Sequence, residues 1–173
     1  MLTNPLKETL RQILSNPNSK AVFIGVGSEL RGDDAVGVVI INRLKELEKS
    51  ADCTRFMFIN GGNAPENVLG EIRKFKPEVV VFVDAAVLGE TPGTVQIFDT
   101  SQKRISGISF CTHTLPLTIV ANYIRKTVPC EIFAIGIEPV DMNFRSDCAL
   151  TPPVNQAAEE LVQAIADYAG LHQ

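Results

Sequence analysis

Ala21-Val22-Phe23-Ile24-Gly25-Val26-Gly27-Ser28-Glu29-Leu30-Arg31-Gly32-Asp33-Asp34 reads as a strand, a glycine-rich turn and the start of a helix. The apolar run over 21–25 is unbroken, the pattern of a strand covered on both faces. Gly25, Gly27 and Gly32 then punctuate a turn. Asp33 and Asp34 suit the positive end of a helix dipole. Beyond them Val36, Val39, Ile40 and Leu44 fall on one helical face. A strand that feeds a helix through a tight turn is the building unit of a parallel sheet.

The same alternation continues outward. A second strand over 56–60 ends in Gly61-Gly62, and a helix over 65–75, starting from Asn63 or Ala64, is broken by Pro77. The strand over 78–84 is apolar from Val79 to Val83, which makes it central. A shorter strand over 94–98 follows Thr91-Pro92-Gly93, and a helix over 115–126 precedes a strand over 131–137. Thr151-Pro152-Pro153 caps a last helix to about residue 168, with Ala157, Leu161, Ala164 and Ile165 inward. Upstream, Leu6, Leu10, Ile13 and Leu14 have helical spacing, with Asn4 as cap, Pro5 at the first helical position and Asn16-Pro17-Asn18 as terminator. With no repeat, low-complexity stretch or linker, the chain reads as a single domain over 1–173. It comprises an N-terminal helical extension (1–18) and a core (20–169). The expected fold class is α/β, a mostly parallel sheet between two helical layers.

Composition narrows the chemistry. The 173 residues suffice for one sizeable core. A net charge of −4 argues against nucleic acid or an anionic membrane as partner. There are two histidines, His113 and His172, which excludes HExxH metalloproteases and sites with several histidine ligands. Cys53, Cys111, Cys130 and Cys148 form no CxxC pair, so a zinc ribbon and a thioredoxin-like motif are disfavoured and free thiols of a reducing cytoplasm are expected. Lys7, Glu8 and Arg11 interrupt any signal-peptide pattern, and the apolar runs over 21–26 and 79–83 are too short for membrane insertion. The expected location is the cytoplasm.

In open α/β sheets the active site lies beyond the carboxyl ends of the strands. Three polar positions fall there: Asp33 and Asp34 after the first strand, Asp84 after Val79-Val80-Val81-Phe82-Val83, and His113 before a helix. Two carboxylates and an imidazole match a catalytic metal site with open positions, of a kind that suits nickel, zinc or iron better than calcium. Each also has a plain structural reading: Asp34 as a helix cap, Asp84 as a turn former, His113 as a hydrogen-bonded loop residue. The turn itself gives GxGxxxxG, one gap longer than a dinucleotide fingerprint, and Asp33 stands where a P-loop needs lysine. A nucleotide-binding module is therefore an alternative, weakened by two carboxylates that would repel phosphate. Cys111 and His113, two apart on a strand, share a face; they read as a Cys–His dyad or as a buried cysteine beside a functional histidine. There is no Gly-x-Ser-x-Gly elbow, and Asp99-Thr100-Ser101 occurs once and lacks the glycine of an aspartic-protease triplet.

The stretch from Gly25 to Gly37 resembles the opening motif of the hydrogenase maturation endopeptidases. Asn60-Gly61-Gly62-Asn63-Ala64-Pro65-Glu66-Asn67 resembles the HycI-type subgroup, which processes the large subunit of formate-hydrogenlyase-type nickel–iron hydrogenases. Val83-Asp84-Ala85-Ala86 with Pro92-Gly93, then Thr112-His113-Thr114-Leu115-Pro116-Leu117, then Gly136-Ile137-Glu138-Pro139 fit the later blocks in order. The resemblance implies a three-layer α/β/α fold with a twisted, mostly parallel five-stranded sheet. It also implies a cytoplasmic endopeptidase that removes a C-terminal extension from a nickel-loaded hydrogenase large-subunit precursor. By that resemblance Asp34, Asp84 and His113 contact the metal and carry catalysis, the nickel arrives with the substrate, and zinc or cadmium can stand in for it. Nickel would then polarise the carbonyl or activate water, or a carboxylate would act as general base in aspartic-type chemistry. Asp33 is expected to hold the turn or orient His113, with Gly27, Gly32, Gly61 and Gly62 supporting the loops. Ser28 departs from the family's usual asparagine and Ala35 from a common glycine. A non-catalytic chaperone that binds the precursor through the same groove is the remaining alternative.

Overall fold

The computed structural model describes residues 2–49, 54–101, 109–110, 116–144 and 149–171. His113 lies outside the described residues, as do Cys53, Cys111, Cys148 and His172. Five strands, β1 (Ala21–Val26), β2 (Phe56–Gly62), β3 (Val79–Val87), β4 (Val95–Asp99) and β6 (Glu131–Ile137), form a mixed sheet in the order β2-β1-β3-β6-β4. A two-residue strand, β5 (Ser109–Phe110), pairs antiparallel with the end of β3. β1, β2, β3 and β6 run parallel, and β4 returns antiparallel along β6 from Val95↔Ile137 to Asp99↔Phe133. The chain adds β2 on one side of β1 and then crosses to add β3 on the other, so the strand order reverses between β1 and β3.

Alternating side chains feed two cores, because each strand is covered on both faces. Phe23, Val81, Val83 and Ile135 point to the layer of α1 (Asn4–Leu14), α2 (Val36–Glu48) and α5 (Pro152–Ala169). Val22, Ile24, Val80, Phe82 and Ala134 point to α3 (Leu69–Phe75) and α4 (Leu117–Thr127). The expected three-layer α/β/α architecture is what the chain adopts. α1 is no detached appendage, since Leu2, Leu6, Leu10 and Leu14 join the same core as α2 and α5.

Several local expectations shift, each for a tertiary reason. Thr3, not Asn4, occupies the cap position of α1, because the extended backbone ends at Thr3 and Asn4 is already helical. Val39 is only half-buried while Gly37, Val38 and Ile41 are buried, because α2 lies between the sheet and α5 and hides a broader stripe than one face. The segment after β2 opens as a 3-10 turn, Pro65–Val68, before α3 begins. Thr151 stands at the cap position of α5 without capping it; its hydroxyl donates to Asp33 Oδ2 at 2.9 Å. β3 runs past Asp84 to Val87, held there by β6 and β5.

Leu10 is fully buried. Leu10→Ala is expected to cost about 3 kcal/mol in urea-unfolding stability, the usual loss for a buried leucine. An α1 that did not belong to the domain core would show no such loss.

Candidate active site

The pairing of β1 with β3 ends at Gly25↔Val83, whereas β3 stays paired to β6 through Asp84↔Gly136 and Ala85↔Ile137. Asp84 is therefore the first residue of β3 beyond the reach of β1. It sits where the strand order reverses, the usual ligand crevice of an open α/β sheet. It is fully buried, and neither carboxylate oxygen has a hydrogen-bond partner among the described residues. Burial pushes its carboxyl well above the usual aspartate range, the neighbouring Asp34 charge adds to this, and the adjacent Ala85 backbone N–H offsets a little of it.

Asp34 reaches this place because two glycines let α2 press onto the sheet. A Cβ on Gly37 would lie 2.0 Å from the Val83 carbonyl oxygen and 2.5 Å from that of Val26. A Cβ on Gly25 would lie 2.4 Å from the Gly37 carbonyl oxygen. The 3-10 turn Gly32–Ala35 directly precedes α2, so the same close approach sets Asp34 over the ends of β1 and β3. Gly27 folds the turn back: its φ is +130°, and a Cβ there would lie 1.7 Å from the Asp34 carbonyl oxygen. The Ser28 N–H then donates to Asp34 Oδ2 at 2.9 Å. The Gly27 N–H donates to the Gly62 carbonyl at 3.0 Å, joining the two glycine loops, while Gly61 packs on Ile24 and Gly32 opens the 3-10 turn.

Asp33, one residue away and equally buried, differs in its hydrogen bonding. Its Oδ2 accepts from the Val140 N–H at 2.8 Å, the Asp141 N–H at 3.0 Å and the Thr151 hydroxyl at 2.9 Å, and its Oδ1 from the Thr151 N–H at 2.7 Å. Its own N–H donates to the Asp141 carbonyl at 2.8 Å. Asp33 thus fastens the turn that bears Asp34 to the segment after β6.

Of the expected site residues, the structure brings Asp34 and Asp84 together. His113 lies outside the described residues, as does the Cys111–His113 pair. Among the described residues no group of three His, Cys, Asp or Glu side chains gathers as a metal site. Most of the turn's N–H groups are engaged within the protein, since those of Gly27, Ser28, Arg31, Asp33 and Asp34 all donate to protein oxygens. The half-buried Cys130 carries a thiol that burial shifts toward the protonated form, away from the reactive thiolate. The sequence pattern marks Gly25 only as part of the turn and assigns Gly37 no part in the fold. A glycine inside an apolar strand signals close backbone approach, and that signal was available.

Residues 38–168 match the HycI family, described as hydrogenase maturation protease. A Methanocaldococcus jannaschii protein named provisionally for that activity is 32% identical over 164 residues, covering 92% of this chain and 94% of that protein. The crystal structure of the [NiFe] hydrogenase maturation protease HycI from Thermococcus kodakarensis superposes with a TM-score of 0.82 at 34% identity, covering 94% of this chain and 99% of that one. The solution structure of the endopeptidase HycI from Escherichia coli gives 0.66 at 27% identity, covering 83% and 87%. A doubly wound sheet with two acids gathered at its switch point has the form of a ligand site in an open α/β fold. The chain belongs to the HycI family of hydrogenase maturation proteases. No described helix is long and apolar enough to cross a membrane.

Two stability measurements separate the roles of the acids. Asp33→Ala leaves four donors without their acceptor, and at about 1–3 kcal/mol per buried unsatisfied group it should destabilise the fold by at least 3 kcal/mol. Asp84→Asn should do the reverse in metal-free buffer. The folded Asp84 keeps its proton to a higher pH than the unfolded chain does, so stability is lost as pH rises above about 4. Urea titrations should show Asp84→Asn gaining on the wild type from pH 4.5 to pH 8. A constant difference would refute the raised pKa.

Proposed function

We propose that the chain is an endopeptidase that removes a C-terminal extension from a nickel–iron hydrogenase large-subunit precursor after nickel has been inserted. The observation that carries this reading is the Asp34–Asp84 pair, in which a fully buried carboxylate has two unpartnered oxygens beside a second acid. Such a pair is stable only with a proton or a cation in place. Its membership in a maturation protease family supports a hydrogenase precursor as the source of that cation.

On this reading Asp34, Asp84 and His113 meet the nickel that the precursor carries, and zinc or cadmium would fit the same oxygen and nitrogen donors. Nickel would supply the positive charge that polarises the scissile carbonyl. Asp34 is held by the Ser28 N–H and by the turn that Asp33 fastens, so it presents a fixed carboxylate. Burial and the Asp34 charge both favour a proton on Asp84 in the absence of a cation, and a cation at the site would favour its loss. An acid with a raised pKa beside a second carboxylate also has the make-up of aspartic-type catalysis, with one group as general acid and the other as general base.

The test is incubation of the purified chain with nickel-loaded and nickel-free precursor, read by mass spectrometry. Only the loaded precursor should lose its extension. Asp34→Asn, Asp84→Asn and His113→Ala should each slow cleavage by about two orders of magnitude or more, the scale of a lost catalytic group. Equal cleavage of both precursors would defeat the metal-dependent reading.

A further inference from the structure

Among the described residues six large apolar side chains are strongly exposed, and four of them, Phe144 (73%), Val140 (55%), Leu30 (53%) and Val87 (46%), stand at the carboxyl edge of the sheet. The other two, Ile119 and Tyr123, lie on α4, where Arg73 stacks over the Tyr123 ring. Leu30 is on the glycine-rich turn, four residues before Asp34. Val140 and Phe144 are on the segment after β6, and Val87 ends β3 three residues beyond Asp84.

These loops are not loosely placed. The Val140 N–H is bound directly to Asp33 Oδ2 at 2.8 Å, and Arg31 Nε donates to the Met142 carbonyl at 3.2 Å. The turn that carries Leu30 and Asp34 is therefore fastened at two points to the segment that carries Val140 and Phe144. Anything seated on these side chains is held in fixed register with the Asp34–Asp84 pair.

We infer that Leu30, Val140 and Phe144 form an apolar docking rim for the precursor, seating an apolar segment of the hydrogenase large subunit that lies a few residues from the scissile bond. This rests on the proposed function, and it identifies what part of the substrate the protease grips. Two arguments select that occupant. The rim is continuous with the acid pair through Asp33, so its occupant also stands over the site. These three exposed side chains offer on the order of 300 Å², under half of what one partner contributes to a stable interface. That is too little for a lasting dimer of this chain and enough to anchor a substrate that must leave after cleavage.

Exposed residues can be changed without disturbing the fold, so the test separates docking from folding. Leu30→Ser, Val140→Ser, Phe144→Ser and the triple variant are assayed for cleavage of the nickel-loaded precursor, with unfolding midpoints measured in parallel. Phe144→Ser should raise KM about tenfold and the triple variant about a hundredfold, with kcat within about twofold and midpoints unchanged. A triple variant with wild-type KM, or one that loses kcat at unchanged KM, overturns the rim. Sedimentation of the chain alone gives an independent check: a dimer that the triple variant dissolves would assign the rim to a second copy and also overturn it. Absence of cleavage by the wild type would overturn the proposed function itself, and this inference with it.

Discussion

The close approach of α2 to the ends of β1 and β3 is the constraint on which the site depends. It exists because neither Gly25 nor Gly37 has a side chain, and a methyl group at Gly37 would sit 2.0 Å from the Val83 carbonyl oxygen. Val83 is bonded in sequence to Asp84, and Gly37 follows Asp34 by three residues. One backbone contact therefore fixes the spacing between the two acids. A larger residue at either glycine would lift the helix, and with it the 3-10 turn, away from the strand that bears Asp84. The rest of the fold serves to keep that contact in place: Val36, Ile40 and Leu44 bury α2 on one core, and Arg43 ties it to Asn155 of α5 at 2.8 Å.

The three neighbouring acids illustrate how environment rather than residue type assigns a role. Asp33 spends both oxygens on four protein donors and has no capacity left for a ligand. Asp34 accepts from the Ser28 N–H, which orients it. Asp84 is as deeply buried as Asp33 yet has no hydrogen-bond partner among the described residues. Burying a carboxyl without partners is costly, and natural folds tolerate it chiefly where chemistry requires it. The contrast marks Asp33 as the fastener and leaves Asp84 as the buried acid whose oxygens are unpartnered among the described residues.

Much of this was legible in the sequence. Apolar runs and glycine-rich turns located the strands, and once their alternation with helices implied an α/β sheet, the rule that sites lie beyond strand ends pointed to the Asp33-Asp34 turn, Asp84 and His113, the last of which lies outside the described residues. What escaped was tertiary. The overshoot of β3 past Asp84 depends on pairing with Gly136 and Ile137, some fifty residues away. The partners of Asp33 are 107 to 118 residues distant, so periodicity carries no trace of them. Val39 exchanged places with Val38 and Ile41 because a helix covered on two sides has no single apolar face. Thr151 reads as a cap from its neighbours Pro152 and Pro153, but its hydroxyl has a stronger claimant in Asp33.

The buried acid also bears on how a protease of this kind could avoid premature action. With no cation present, desolvation and the Asp34 charge together favour a proton on Asp84. A precursor without metal then brings nothing that competes for the carboxyl, and the proton on Asp84 spares the pair a second negative charge. A cation carried by the precursor would displace that proton, because a divalent charge within contact distance outweighs the desolvation that held it. Docking of the loaded precursor and ionisation of Asp84 are then one thermodynamic event, each favouring the other. Under the proposed function, selectivity for a finished substrate needs no separate sensor: it follows from placing one aspartate where it can be charged only in company.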